Sequence, residues 1–263
     1  MNNFFEEKLN FNRIFFRYAK GKSLASGNEI HPFHEILYYM DGDATFLSEN
    51  FKEDLNKGTL LIIPKEMYHN FRIKNQENYT RLVINFPDID AIKDLLPVTM
   101  SEIKIIKDVN INIRHILNRM CQTIHGKKNE STEVFLYGSF LSLICEIFSG
   151  SNEIVTPTLR ANEKLISKCI QYIDTKFTSP ICVEDIAKEM FVSSSTLFNC
   201  FKTELGIPLH KYITEKRMIH AHKLISEGKN PTKIYTECGY TDYSSFYKAY
   251  VKMFSHPPSS DKK

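Results

Sequence analysis

The 263-residue sequence predicts an α+β chain of two domains, a small β-barrel followed by a helical module. Three observations carry this. Short β-rich runs separated by turn formers fill the stretch from Phe11 to about Phe86. Helical periodicity takes over after Pro87 and, from Ala161, continues nearly to the end. Within that last region one pattern occurs twice, as VEDIAKEMFVSSSTLFNCFKTEL at 183–205 and TKIYTECGYTDYSSFYKAYVKMF at 232–254. Ile186 and Ile234 are 48 residues apart and Leu197 and Phe246 are 49 apart, so the second copy carries one extra turn residue. Each copy reads as a short helix, a tight turn and a second amphipathic helix. That is the layout of a helix-turn-helix, whose second helix enters the DNA major groove.

Composition is that of a globular chain able to bury a core, with 42% hydrophobic and 25% charged residues. No apolar run reaches the roughly 18 residues that span a membrane, and MNNFFEEKLN is not a signal peptide, so a cytoplasmic location is expected. The six cysteines lack metal-like spacing and sit in apolar helical patterns, which predicts reduced, partly buried thiols. Residues 160–263 hold 16 Lys/Arg against 11 Asp/Glu, giving +5, whereas residues 1–159 hold 18 against 20, giving −2. A basic half joined to a mildly acidic half suits a nucleic-acid module attached to something else.

In the first half, EILYYM, ATFLSEN, TLLIIP, HNFRI and TRLVINF are the strand candidates, with turns expected at Asp41-Gly42 and Asn56-Lys57-Gly58. Many short strands imply a sandwich or barrel rather than a βαβ sheet. His31-x-x-His34-Glu35 is followed, with six residues between, by Gly42; Gly58 is followed by TLLII, Pro64 and His69. These spacings resemble the motif pair of the cupin barrel. In metal-binding cupins the pair delivers three histidines and a glutamate to one ion. Here His31, Glu35 and His69 match, Glu29 stands where another histidine would be, and His34 is out of register. The favoured expectation is an effector pocket lined by His31, His34, Glu35, Tyr39 and His69, with no metal and no other cofactor. The aromatics among these strands are expected mostly in packing.

Two helical runs follow, Val109 to Ile124 and Thr132 to Phe148, with broad apolar faces suited to packing on the barrel and to pairing two chains as a homodimer. The polar stretch from Ser149 reads as a linker. The predicted division is thus a barrel at 1–88, a helical pair at 89–148, a linker at 149–160 and a helical module at 161–263.

In that module a first helix stops before Ser179-Pro180, and Ile186, Ala187 and Met190 form the inner face of a supporting helix. Ser193 or Ser194 can cap the next helix. There Leu197, Cys200, Phe201 and Leu205 form the inward stripe, leaving Ser194, Ser195, Phe198, Asn199 and Lys202 as candidate DNA contacts. Asn199 can pair with an adenine edge, Ser195 can reach a base or phosphate, and Lys202 suits a phosphate. A helix from Leu209 to Ser226 joins the two units. In the second reader Phe246, Tyr250, Met253 and Phe254 point inward, with Tyr243, Ser244, Tyr247 and Lys248 outward and Asp242 an N-cap.

KRMIHAHKLI followed by IYTECGYTDYSSFYKAYVKMF resembles the DNA-binding domain of the AraC/XylS family of bacterial transcription regulators. The resemblance covers about 100 residues and extends more loosely to the barrel and helical pair. It implies two recognition helices in successive major-groove segments, an effector-binding and dimerisation part, a contact with RNA polymerase and, usually, activation. Against the family pattern, Phe191 replaces a glycine in the first turn and Tyr235 an alanine. Ser255-His256 and Asp261 replace a glycine and a tyrosine near the end. These departures predict a second reader that is less firmly built. The leading expectation is a non-enzymatic, ligand-responsive transcription regulator with no catalytic residues. The alternatives are a metal-dependent cupin enzyme fused to a DNA-binding domain, and a regulator gated by a protein partner.

Overall fold

The computed structural model describes residues 5–21, 30–49, 51–90, 102–149 and 164–261. The predicted linker lies, from residue 150 onward, outside them. Within the described residues seven strands form one antiparallel sheet: β1 (Phe5–Phe11), β2 (Ile14–Lys20), β3 (His34–Ser48), β4 (Lys52–Asp54), β5 (Leu60–Ile63), β6 (His69–Phe86) and β7 (Lys104–Ile106). The hydrogen-bonded order is β1-β2-β6-β3-β5-β7, with β4 paired to β3. Among the described residues eight α-helices follow: α1 (Ile111–His125), α2 (Thr132–Phe148), α3 (Lys164–Lys176), α4 (Val183–Glu189), α5 (Ser194–Glu204), α6 (Leu209–Ser226), α7 (Pro231–Ile234) and α8 (Tyr243–Phe254).

The sheet is more continuous than its sequence suggests. EILYYM and ATFLSEN belong to one 15-residue strand, because Asp41-Gly42 is an irregularity within β3 rather than a turn. Pairing with β6 carries across it, with Asp41 opposite Thr80 and Asp43 opposite Asn75. Gly42 has φ +125°, and a Cβ there would stand 2.8 Å from the Tyr79 Cα, so both the bend and the close approach of β6 require glycine. HNFRI and TRLVINF are likewise joined in the 18-residue β6. The sequence reading also missed β7, which pairs with β5 and so extends the sheet past residue 88.

Both faces of the sheet are buried, which is why LLII reads as an unbroken apolar run. Ile36, Tyr38, Leu60, Ile62, Leu82 and Ile84 pack with α1 and α2. Their neighbours Leu37, Tyr39, Leu61, Ile63 and Val83 form a separate inner core with Phe46 and Tyr79. Helix α1 is N-capped by Asn110, whose side chain accepts from the Ile113 N–H.

The helical module has two cores bridged by α6. Leu209, Tyr212, Ile213 and Ile219 join α3, α4 and α5, whereas Met218, Ala221, Leu224 and Ile225 join α7 and α8. Arg217 fastens this arrangement, donating from Nε to the Phe177 carbonyl at 2.7 Å and from Nη2 to that of Ser179 at 2.9 Å. These accept just beyond the end of α3, where the terminal carbonyls of a helix favour a cation. Among the cysteines, Cys121, Cys169 and Cys238 are buried and Cys200 is half-buried. Cys145 and Cys182 are exposed, contrary to the buried expectation, because one lies on the outer face of α2 and the other is the N-cap of α4.

Candidate functional site

Helix α5 presents the outward face its spacing predicts. Ser193, not Ser194, is its N-cap and accepts from the Thr196 N–H at 3.1 Å. Leu197, Phe201 and Leu205 are buried, and Cys200 is half-buried. Ser195, Asn199 and Lys202 are exposed, Ser194 is half-buried, and Phe198 is 42% exposed. The face therefore offers a hydroxyl, an amide and an ammonium side by side, the donor set for base edges and phosphates. In the turn before it, Phe191 takes φ +56° and is 95% exposed. The left-handed turn expected of glycine is thus kept, with a phenylalanine bearing the steric cost.

Helix α8 is capped by Asp242, which accepts from the Ser245 N–H at 2.8 Å. Phe246 and Tyr250 are buried, Met253 and Phe254 half-buried, and Ser244, Tyr247 and Lys248 exposed. Tyr243 is only half-buried, because its ring lies against Tyr235 (centroids 6.2 Å apart) and Phe246. The substitution at 235 thus draws a predicted DNA-facing residue into packing. Supporting helix α7 has four residues, against seven in α4. The end of the module is absorbed locally: Ser255 adopts φ +62° after α8, and the Tyr250 hydroxyl donates to Asp261 at 2.5 Å.

In the sheet, three of the five predicted pocket residues converge. His31, Glu35 and His69 are buried, with their ligating atoms all within 4.8 Å of one another. Burial opposes the charge of Glu35, yet the imidazoles of His31 and His69 and the Asn85 amide outweigh it and hold its carboxyl down at about 2. Asn85 Nδ2 donates to Glu35 Oε2 at 2.7 Å. His34 does not join them. Successive side chains of a strand point to opposite faces, so it faces away from Glu35. Its Nε2 meets Asp88 at 3.0 Å, and its Nδ1 accepts from the Lys65 N–H. Tyr39 shares the Glu35 face but packs in the inner core beside Tyr79, with ring centroids 5.9 Å apart.

A contact absent from the sequence reading links this cluster to α5. At the start of β6, Tyr68 and Asn70 donate to the carbonyl of Leu205, Asn70 at 3.3 Å. Arg72 donates to that of Thr203 at 2.5 Å. His69 and Phe71, between them, pack against Phe46 of the inner core. Lys52 pairs with Glu204, and Glu49 accepts from the Tyr212 hydroxyl at 2.5 Å with Lys216 at 3.5 Å. Ile30 and Tyr68 are buried in the same apolar cluster as Ile207, Leu209 and Tyr212. Gly206, at φ +77°, lies against Asn70, whose Nδ2 would be 3.0 Å from an added Cβ. The sheet is thus seated on the C-terminal end of α5.

Two family models match the chain: the AraC-like ligand binding domain over residues 15–137 and a helix-turn-helix domain over residues 186–263. The chain belongs to the AraC family. It is a DNA-binding transcription regulator with a ligand-binding domain. AraC-family relatives match along most of its length. The lactose operon transcription activator of Staphylococcus xylosus is 23% identical over 81% of this chain and 77% of its own. The transcriptional activator RhaS of Klebsiella pneumoniae is 20% identical over 87% and 84%. The solved structure of ToxT from Vibrio cholerae is 15% identical, covers 98% of this chain and 96% of its own, and gives a TM-score of 0.41. Among the described residues, no helix is long and apolar enough to cross a membrane.

Proposed function

We propose that the chain is a transcription activator whose first DNA reader is restrained by the barrel until a small effector loosens the contact. One observation carries this reading, the alternation that runs from Tyr68, just before β6, into its first residues. Tyr68, Asn70 and Arg72 hold carbonyls at the end of α5, while His69 and Phe71 face the inner core. A ligand that displaces His69 or Phe71 moves the same end of β6 that grips α5. The ligand must bind the released state better than the latched one for the shift to occur.

In this reading residues 1–88 are the effector-binding barrel, 89–148 a helical pair that joins two copies, 149–160 the linker and 161–263 the DNA-binding module. The groove between α1 and α2, where Val134 is exposed beside Ile116 and Phe135, supports the homodimer. Ser194, Ser195, Phe198, Asn199 and Lys202 contact one major-groove segment, and Ser244, Tyr247 and Lys248 the next, with Tyr243 at the margin. The bound protein then engages RNA polymerase in the cytoplasm.

Selection of bound duplexes from random DNA tests the reading, comparing the intact chain with Asn199→Ala. The wild type enriches a defined site, and the variant loses about 1–3 kcal/mol of discrimination if Asn199 makes a bidentate base contact. Equal loss on selected and random DNA means that Asn199 reads no base.

A further inference from the structure

The inner cluster has a geometry that effector packing does not explain. His31 Nδ1 lies 2.9 Å from the Phe33 carbonyl, and His69 Nδ1 lies 3.1 Å from that of Met67. A carbonyl only accepts, so both Nδ1 atoms carry hydrogen. In the neutral rings Nε2 is then the lone-pair atom. Both Nε2 atoms face one carboxylate: His31 Nε2 is 3.4 Å from Glu35 Oε2, and His69 Nε2 is 3.8 Å from Glu35 Oε1. His31 Nε2 is buried with no hydrogen-bond partner.

If protons held these groups together, charge-assisted N–H···O bonds of about 2.7–2.9 Å would be expected. The separations are too long for that. They resemble instead the spacing of donor atoms around a shared ion, since ligand bonds of about 2.0–2.2 Å in a tetrahedron put donors about 3.3–3.6 Å apart. The His31–Glu35 pair already has this spacing; taken one atom per residue the three ligand atoms lie within 4.8 Å of one another, so the set closes by up to about 1.5 Å around an ion. The outer partners match as well. Each imidazole is fixed by a backbone carbonyl and the carboxylate by Asn85, an arrangement that orients metal ligands.

We propose that His31, Glu35 and His69 bind one divalent transition-metal ion of the Zn2+ class. Two imidazoles and a carboxylate leave a fourth position for water or an oxygen of the effector. This proposal departs from the expectation of no metal drawn from the sequence. What decides it is the convergence of Nε2 lone pairs, which motif spacing does not reveal. Two of the ligands adjoin residues that enter the core around α5: Ile30 precedes His31, and Tyr68 precedes His69. An ion would therefore pin the segments on which the barrel's grip depends.

The test uses full-length protein stripped with a chelator and titrated with Co2+, then challenged with Zn2+. One Co2+ per chain is expected, with a visible spectrum lacking thiolate charge transfer and displaced by Zn2+. Glu35→Gln, which keeps an oxygen for Asn85, should weaken binding at least about 100-fold, Asn85→Ala about 10–100-fold, and His34→Gln not at all. Circular dichroism checks that each variant is folded. No saturable binding, equal binding by folded Glu35→Gln, or a thiolate band from Cys145 or Cys182 overturns the proposal. Operator selection by the same metal-free protein is a separate readout, so failure here leaves the DNA-binding reading intact.

Discussion

Cutting the barrel's grip on α5 should raise DNA affinity in the absence of effector. The double variant Asn70→Ala, Arg72→Ala removes the Asn70 donor to the Leu205 carbonyl and the Arg72 donor to that of Thr203, and leaves the Tyr68 bond to Leu205 and the apolar contact in place. A hydrogen bond of this kind contributes about 0.5–1.5 kcal/mol net. The exposed Arg72 belongs at the lower end of that range despite its charge. Together the two account for about 1–2.5 kcal/mol, or roughly a 5- to 70-fold shift of the latched–released equilibrium. When the DNA-competent state is a minor one, apparent affinity scales with its population. Fluorescence anisotropy of a selected operator duplex, at fixed salt, should therefore show tighter binding by about that factor. Thermal melting and circular dichroism establish that the variant is folded. Unchanged or weaker operator binding by the folded variant would refute the restraining role of β6.

Two further outcomes follow from local physics. Phe191→Gly should stabilise the module by about 0.5–1 kcal/mol, because glycine tolerates the left-handed turn at little cost and the 95% exposed ring gives up little packing. A lower melting temperature would show that the ring makes a stabilising contact. The second outcome concerns pH. Burial holds His220 and His222 below the ordinary histidine value of 6.5, with His256 adding to the effect at His222 and Asp261 opposing it. Their folded forms resist protons that the unfolded chain accepts. Stability should thus fall as pH drops below about 6.5 and level off once the folded groups titrate. Melting at pH 7.5 and 5.5 should show a smaller drop in His222→Gln than in the wild type; an equal drop assigns the effect elsewhere.

The outward face of α5 is legible in the sequence because its signal is local. A 3.6-residue period fixes which side of α5 packs, and Leu197, Phe201 and Leu205 leave no choice about where Asn199 points. Legibility fell where two faces competed. Spacing alone places Tyr243 outward, but an aromatic at 235 gives its ring a partner that alanine would not. Asp41-Gly42 has the composition of a hairpin turn, yet partners on β6 continue past it, so only the tertiary pairing distinguishes bulge from turn. His34 and Glu35 fall in one cupin-like motif, His34 out of register, and a strand separates such neighbours onto opposite faces. The grip on α5 was illegible for a different reason. Asn70 and Arg72 occupy ordinary alternating strand positions and Tyr68 precedes them by the same spacing, and the Leu205 carbonyl reached by Tyr68 lies 137 residues away.

The central claim, that barrel seating restrains the first reader, is tested most directly by locking that contact. Lys52 and Glu204 form an ion pair across it. Lys52→Cys and Glu204→Cys, joined by a short reducible tether in a background without exposed cysteines, hold the sheet on α5 reversibly. The decisive quantity is the operator dissociation constant of this one protein before and after reduction. Weak binding while tethered, with recovery on reduction, is the predicted result. Equal binding in the two states, or tighter binding when locked, would contradict the account.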